Sequence, residues 1–196
     1  MRVLIAYGTT EGMTRRIAER MAEVAGSLGH AVEILDTGQG ATRPLEGYDA
    51  VLVGASVHLG RHQRAVRRFI AAHKGLLGAA HTGFFSVCLA IASKNERERR
   101  EARRTAEAFP ESLGWRPDVV QVFGGALMLS KYGFLTRLVM RAIARREQGG
   151  DVPMDRDTVY TDWAAVERFV KDFLGPRAEE PIPARLESST ESVHAP

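Results

Sequence analysis

Three threonines and two glycines lie close together near the amino end of the chain, in Gly8-Thr9-Thr10-Glu11-Gly12-Met13-Thr14. Hydroxyl donors, exposed backbone N–H groups and the start of a following helix together make a phosphate cradle that needs no Lys or Arg. The stretch has neither the GxGxxG nor the GxxxxGK pattern, so the common dinucleotide and nucleoside-triphosphate loops are poorly supported. A Thr/Gly cradle suits a terminal monophosphate ester, which it can enclose on all sides. The competing reading is an ordinary helix cap with turn-forming Thr and Gly.

Two later stretches offer walls for a ligand. Ser56-Val57-His58-Leu59-Gly60 follows a short apolar run that ends at Gly54, and the glycines at 54 and 60 allow a backbone to approach a flat molecule closely. Val87-Cys88-Leu89-Ala90 is mostly apolar and could flank a ring system, although apolar residues after a core strand are usually packing. His58 stands alone and reads first as a hydrogen-bonded surface histidine. No carboxylate or histidine stands out as a proton acceptor, so no essential acid–base residue is expected. With Cys88 as the one cysteine, neither an internal disulfide nor a cysteine metal cluster can form, which fits a reducing cytoplasm.

The elements that must position these loops follow from periodicity. Residues 2–7, 31–35, 50–53, 84–89 and 119–123 are short apolar runs bounded by turn residues, as expected of buried parallel strands. Between them, helical spacing is read through Ile17, Met21, Val24 and Leu28, over residues 62–77 and over 95–109, with a last helix at 162–174. Strands alternating with helices imply a three-layer, doubly wound, five-stranded parallel sheet. Such a sheet binds ligands at the carboxyl ends of its strands, where all three loops should converge.

The 196 residues fit one domain, and 44% apolar content is enough for one sizeable core. There are 27 Lys+Arg and 24 Asp+Glu, a net charge of +3, with arginines gathered at 97–104 and 137–146 and acids in the tail after 178. These arginine clusters lack interleaved aromatics, and no nucleic-acid partner is expected. Apolar runs stay below the ~18 residues of a membrane span. Residues 124–160 are a long insertion before the last helix. They carry a basic amphipathic pattern in which Phe134, Leu135, Leu138 and Val139 accompany Arg137, Arg141 and Arg145. Residues 175–196, rich in Pro, Glu and Ser, read as a disordered tail, leaving 1–174 as the domain.

The first loop resembles the phosphate loop of flavodoxins, with Glu11 where the usual motif has Thr. The pieces Tyr48-Asp49, Val53-Gly54-Ala55-Ser56-Val57, Trp115-Arg116-Pro117-Asp118, Gly124-Gly125-Ala126-Leu127 and Tyr160-Thr161-Asp162-Trp163 occur in the same order in one group with that fold. The chain thereby resembles the menaquinone-dependent protoporphyrinogen IX dehydrogenases over residues 1–174. The resemblance implies a flavodoxin-like sheet of order 2-1-3-4-5. It also implies FMN as cofactor, protoporphyrinogen IX as substrate and a respiratory quinone as electron acceptor.

By the same resemblance Thr9, Thr10, Glu11, Gly12, Met13 and Thr14 hold the FMN phosphate, while Ser56 to Gly60 and Val87 to Ala90 flank the flavin ring. Lys131, Tyr132, Arg137, Arg141 and Arg145 of the insertion are expected to meet substrate carboxylates or an anionic membrane surface, placing a cytoplasmic protein at the inner membrane face. A homo-oligomer is left open. Members of this group usually carry Arg-Tyr where this chain has His58-Leu59, which removes a stacking partner worth about 0.5–1.5 kcal/mol. Two rivals stand beside this reading: a flavodoxin-type electron carrier serving a partner reductase, and a flavin-free module that binds membranes or a partner.

Overall fold

The computed structural model describes residues 1–39, 45–58, 60–127 and 158–175. The expectations for Leu59, for 128–157 with Lys131, Tyr132, Arg137, Arg141 and Arg145, and for the tail after 175 lie outside the described residues.

The first strand, β1 (Arg2–Gly8), is buried from Val3 onward and sits inside a parallel sheet. It pairs on one side with β2 (Ala31–Asp36) and on the other with β3 (Ala50–His58). β3 pairs in turn with β5 (His81–Cys88), and β5 with β6 (Val119–Gly124), all parallel. A two-residue strand, β4 (Arg61–His62), pairs antiparallel with the end of β3. With β4 set aside, the five parallel strands lie in the flavodoxin order 2-1-3-4-5 expected from the sequence.

Alternation along β1 sorts its side chains between two cores. Val3, Ile5 and Tyr7 meet Ile17, Met21 and Val24 of α1 (Met13–Ser27) and Val166, Phe169 and Val170 of α5 (Trp163–Leu174). On the opposite face, Leu4 and Ala6 meet Val66, Phe69 and Ile70 of α2 (Arg64–Ala72), Leu77 of α3 (Lys74–Ala79), and Ala106 and Phe109 of α4 (Glu96–Glu111). Burying a large aliphatic or aromatic side chain in this way contributes about 1.5–3 kcal/mol. Among the described residues no helix is long and apolar enough to cross a membrane.

Several boundaries differ from the sequence reading. β3 does not stop at Gly54: Ala55 and Ser56 continue the ladder to Ser86 and Val87, and Val57 and His58 turn back onto β4. Gly54 is there for space, because a Cβ at that position would run into the Phe85 ring. β5 begins at His81 rather than Phe84, and Leu89 leaves it for a 3-10 turn at Leu89–Ala92. The single helix read over 62–77 is two, broken at His73, whose Nδ1 lies 2.9 Å from the Phe69 carbonyl. α4 runs two residues past 109, through Pro110 to Glu111.

The ends of the insertion are described and form an unforeseen ladder. Ala126–Leu127 (β7) pairs antiparallel with Thr158–Val159 (β8). Behind it, Tyr160 N–H donates to the Gly125 carbonyl at 3.0 Å and the Thr161 hydroxyl to the Gly124 carbonyl at 2.6 Å. Gly124 permits this approach, since a Cβ there would collide with the Tyr160 carbonyl.

β4 also places a histidine among aromatics. His62 Nε2 lies 3.0 Å from Ser86 Oγ, and its ring packs 4.3 Å from Phe109 and 5.6 Å edge-on to Phe84. Burial, helped by the positive charge of Arg67, lowers its pKa from 6.5 to about 4. Between those two values the unfolded chain holds a proton that the folded chain does not, so stability falls as pH drops through that window. Denaturant unfolding at pH 7 and pH 5 should differ by about 2 kcal/mol in wild type, with the difference largely removed in His62→Gln. An equal difference in the variant would place the linked proton elsewhere.

Candidate functional site

The register of the ladders brings the ends of four strands level. Gly8 stands opposite Ala55, Ser56 opposite Val87, and Cys88 opposite Gly124. The loops leaving these strands enclose one cleft. It is lined by Thr9, Thr10, Glu11, Met13 and Thr14, by Ser56, Val57 and His58, by Val87, Cys88 and Leu89, and by Gly125 and Ala126.

The three stretches singled out in the sequence therefore meet at one place. Gly12 takes part as backbone: it adopts φ 97°, the left-handed region that glycine reaches without strain, and ends the loop as the N-cap of α1. Gly60 and Ala90 adjoin the cleft without lining it. Gly125 and Ala126 are lining residues that the sequence reading did not include. The signal was present, since Gly124-Gly125 closes the fifth apolar run at the same edge of the sheet.

The polar end of the cleft has unused donors. Asn95 caps α4 by accepting from Arg97 N–H at 2.9 Å, and Asp162 caps α5 by accepting from Ala165 N–H at 3.0 Å. Gly12 offers α1 no side-chain cap, and no acidic residue occupies the first turn. Thr9 does not cap the helix either: its Oγ1 accepts from Gly12 N–H at 2.9 Å and holds the loop closed. Thr14 is fully buried, and its Oγ1 has no hydrogen-bond partner among the described residues. A buried hydroxyl left unsatisfied costs about 1–3 kcal/mol, and an anion at the start of α1 would supply the missing acceptor.

The rest of the lining is apolar, with Val57, Val87, Leu89 and Ala126 facing the same cleft. Burial pushes the Cys88 thiol up, outweighing the backbone N–H groups of Ile91 and Ala90 that pull it down, so it stays a protonated, unreactive wall. Among the described lining residues there is no Phe, Tyr or Trp. An anion cradle at one end and an apolar slot at the other fit a molecule with a phosphate monoester and a flat ring system, as FMN has. Glu11 also lines the cleft.

A parallel sheet of this order, with an uncapped first helix behind a Thr/Gly loop, is the ligand-binding edge of a flavodoxin-type domain. The model of a flavodoxin domain family matches residues 4–152. Protoporphyrinogen IX dehydrogenase (quinone) from Leishmania major is 34% identical over 182 residues, covering 92% of this chain and 78% of that protein. The protein of the same name from Escherichia coli strain K12 is 31% identical over 172 residues, covering 88% and 94%. Among solved structures, oxidised Flavodoxin 1 from Bacillus cereus shares the fold, with TM-score 0.51 at 14% identity over 88% of this chain and 97% of that one. The chain belongs to the flavodoxin-domain family, among the protoporphyrinogen IX dehydrogenases (quinone).

Thr14 gives a test in which stability and binding move in opposite directions. Thr14→Val keeps the shape and removes the unpartnered hydroxyl. The ligand-free protein should keep its melting temperature or gain slightly, while FMN affinity falls about tenfold or more, read by quenching of flavin fluorescence. Unchanged affinity would move the phosphate away from this helix.

Proposed function

We propose that this chain is an FMN-dependent oxidoreductase that dehydrogenates protoporphyrinogen IX and passes the electrons to a quinone. The observation that carries the reading is the cleft at the strand ends, with its unpartnered Thr14 hydroxyl and uncapped α1 at one end and apolar walls at the other. Relatives of matching length bear the name of that activity.

FMN, when bound, supplies the redox chemistry by accepting a hydride equivalent from substrate and giving it up to an acceptor. The residues of the chain bind and orient. Thr10 and Thr14 hold the phosphate through their hydroxyls and the open start of α1 through its backbone donors, while Thr9 and Gly12 close the loop on each other, with no cation among these residues. Val57, Val87, Leu89 and Ala126 keep water from the ring and give it a low-polarity surrounding. His58 stands at the exposed rim of the cleft, where substrate would enter.

Residues 1–174 form the working unit of this proposal. The basic stretch between β7 and β8, with Lys131, Tyr132, Arg137, Arg141 and Arg145, meets substrate carboxylates or anionic lipid. Support comes from its root, because Ala126 belongs both to β7 and to the wall of the cleft.

Purified protein should be yellow, with about one flavin per chain. Its flavin should be bleached by protoporphyrinogen IX under anaerobic conditions and recover its colour with menadione. Cycling only with a protein reductase would instead identify an electron carrier, and a colourless protein that takes up no FMN would leave a flavin-free module. Replacing Arg137, Arg141 and Arg145 together by Glu should abolish sedimentation with anionic vesicles; full retention would remove the membrane role of that stretch.

A further inference from the structure

Gln63 sits at the N-cap of α2, a position where a polar side chain usually turns onto its own helix. It does not: its backbone is extended, at φ −62° and ψ 141°, and its side chain makes no cap hydrogen bond. The amide reaches the other way. Gln63 Nε2 donates to Thr10 Oγ1 at 3.1 Å and also to Ser56 Oγ. Thr10 belongs to the cradle loop and Ser56 to the end of β3, and both line the cleft. One amide therefore bridges two of the strand-end segments that enclose the site. Its other atom, Oε1, is buried without a hydrogen-bond partner among the described residues, an expensive arrangement for a residue that only fills space.

The bookkeeping of protons gives the bridge a chemical meaning. An amide NH2 carries two hydrogens and here spends one on each hydroxyl. A hydroxyl that accepts such a bond on a lone pair keeps its own proton to give elsewhere. Thr10 and Ser56 both line the cleft, so each has that proton to give to a ligand there.

We infer that Gln63 is a positioning residue of the site: by donating to Thr10 and Ser56, it commits both hydroxyl protons to the cleft. The cleft thereby selects a ligand whose end carries only acceptor oxygens, a phosphate monoester over the same molecule ending in an alcohol. The inference rests on the FMN reading and deepens it, because riboflavin is FMN without the phosphate. An amide turned the other way would accept both hydroxyl protons and present lone pairs to the phosphate. Glutamate at this position imposes that arrangement, since a carboxylate can only accept.

The test compares FMN with riboflavin, each titrated against wild type, Gln63→Glu and Gln63→Met by quenching of flavin fluorescence. Wild type should prefer FMN. Gln63→Glu should cut that preference about tenfold to a hundredfold, and Gln63→Met about threefold to tenfold, with riboflavin affinity little changed in either. In Gln63→Met, which adds no charge beside the phosphate, a role limited to bracing the two loops would weaken both ligands equally and leave the preference intact, which overturns the inference. So does wild-type preference retained in Gln63→Glu, because the amide would then be the acceptor. Should Gln63→Glu not fold, by thermal unfolding of the ligand-free protein, Gln63→Met decides by the same ratio. Wild type that binds neither flavin overturns the FMN reading itself, a result distinct from the others.

Discussion

A phosphate can be held without a cation only if enough donors point at it with nothing else to bond, and the rest of this structure follows from meeting that demand. Parallel pairing is what meets it. With β1, β3, β5 and β6 all running the same way, every strand delivers its following loop to one edge of the sheet, and the first of those loops runs into the start of α1. An antiparallel neighbour would have sent alternate loops to the far edge. The central strands must then be buried on both faces, which is why β1 is apolar at consecutive positions and why two separate cores are needed to cover it.

Within that frame the chain withholds local satisfaction at one place. α4 and α5 close their own N-termini with Asn95 and Asp162, whereas α1 is left open behind a left-handed Gly12. Thr9 shapes the loop and Thr14 is left without a hydrogen-bond partner among the described residues, so the division of labour among the threonines is visible before any ligand enters. Folding the protein around an unmet hydroxyl lowers its stability slightly. The same hydroxyl is then a preorganised donor, which needs no rearrangement when an anion arrives.

Much of this was legible in the sequence, and the parts that were not share a cause. The consecutive apolar runs gave the five strands, their alternation with helices gave a doubly wound parallel sheet, the resemblance of the first loop gave its order, and the Thr/Gly loop gave the cradle. Gly54 misled because glycine ordinarily interrupts a strand; here it makes room for Phe85, a neighbour 31 positions away that no local pattern reveals. β4, β7 and β8 are two-residue pairings whose existence depends on the partner strand, so they carry no periodicity of their own. Gln63 and His62 were passed over for the same reason. Their partners Thr10, Ser56 and Ser86 lie on other strands or loops, and only the register makes them neighbours.

The ladder between β7 and β8 bears on how such a protein can diversify. Ala126 faces Val159 across it, so the chain departs from the rim of the cleft and rejoins the domain at almost the same point. Whatever is spliced between those two positions places no demand on the distance the sheet must span, and lengthening a connection whose ends are already clamped costs only about 0.6 kcal/mol per doubling. The sheet and the stretch between Leu127 and Thr158 are thus joined through only two residue pairs, so that stretch can change in length without disturbing the strands that carry the cleft.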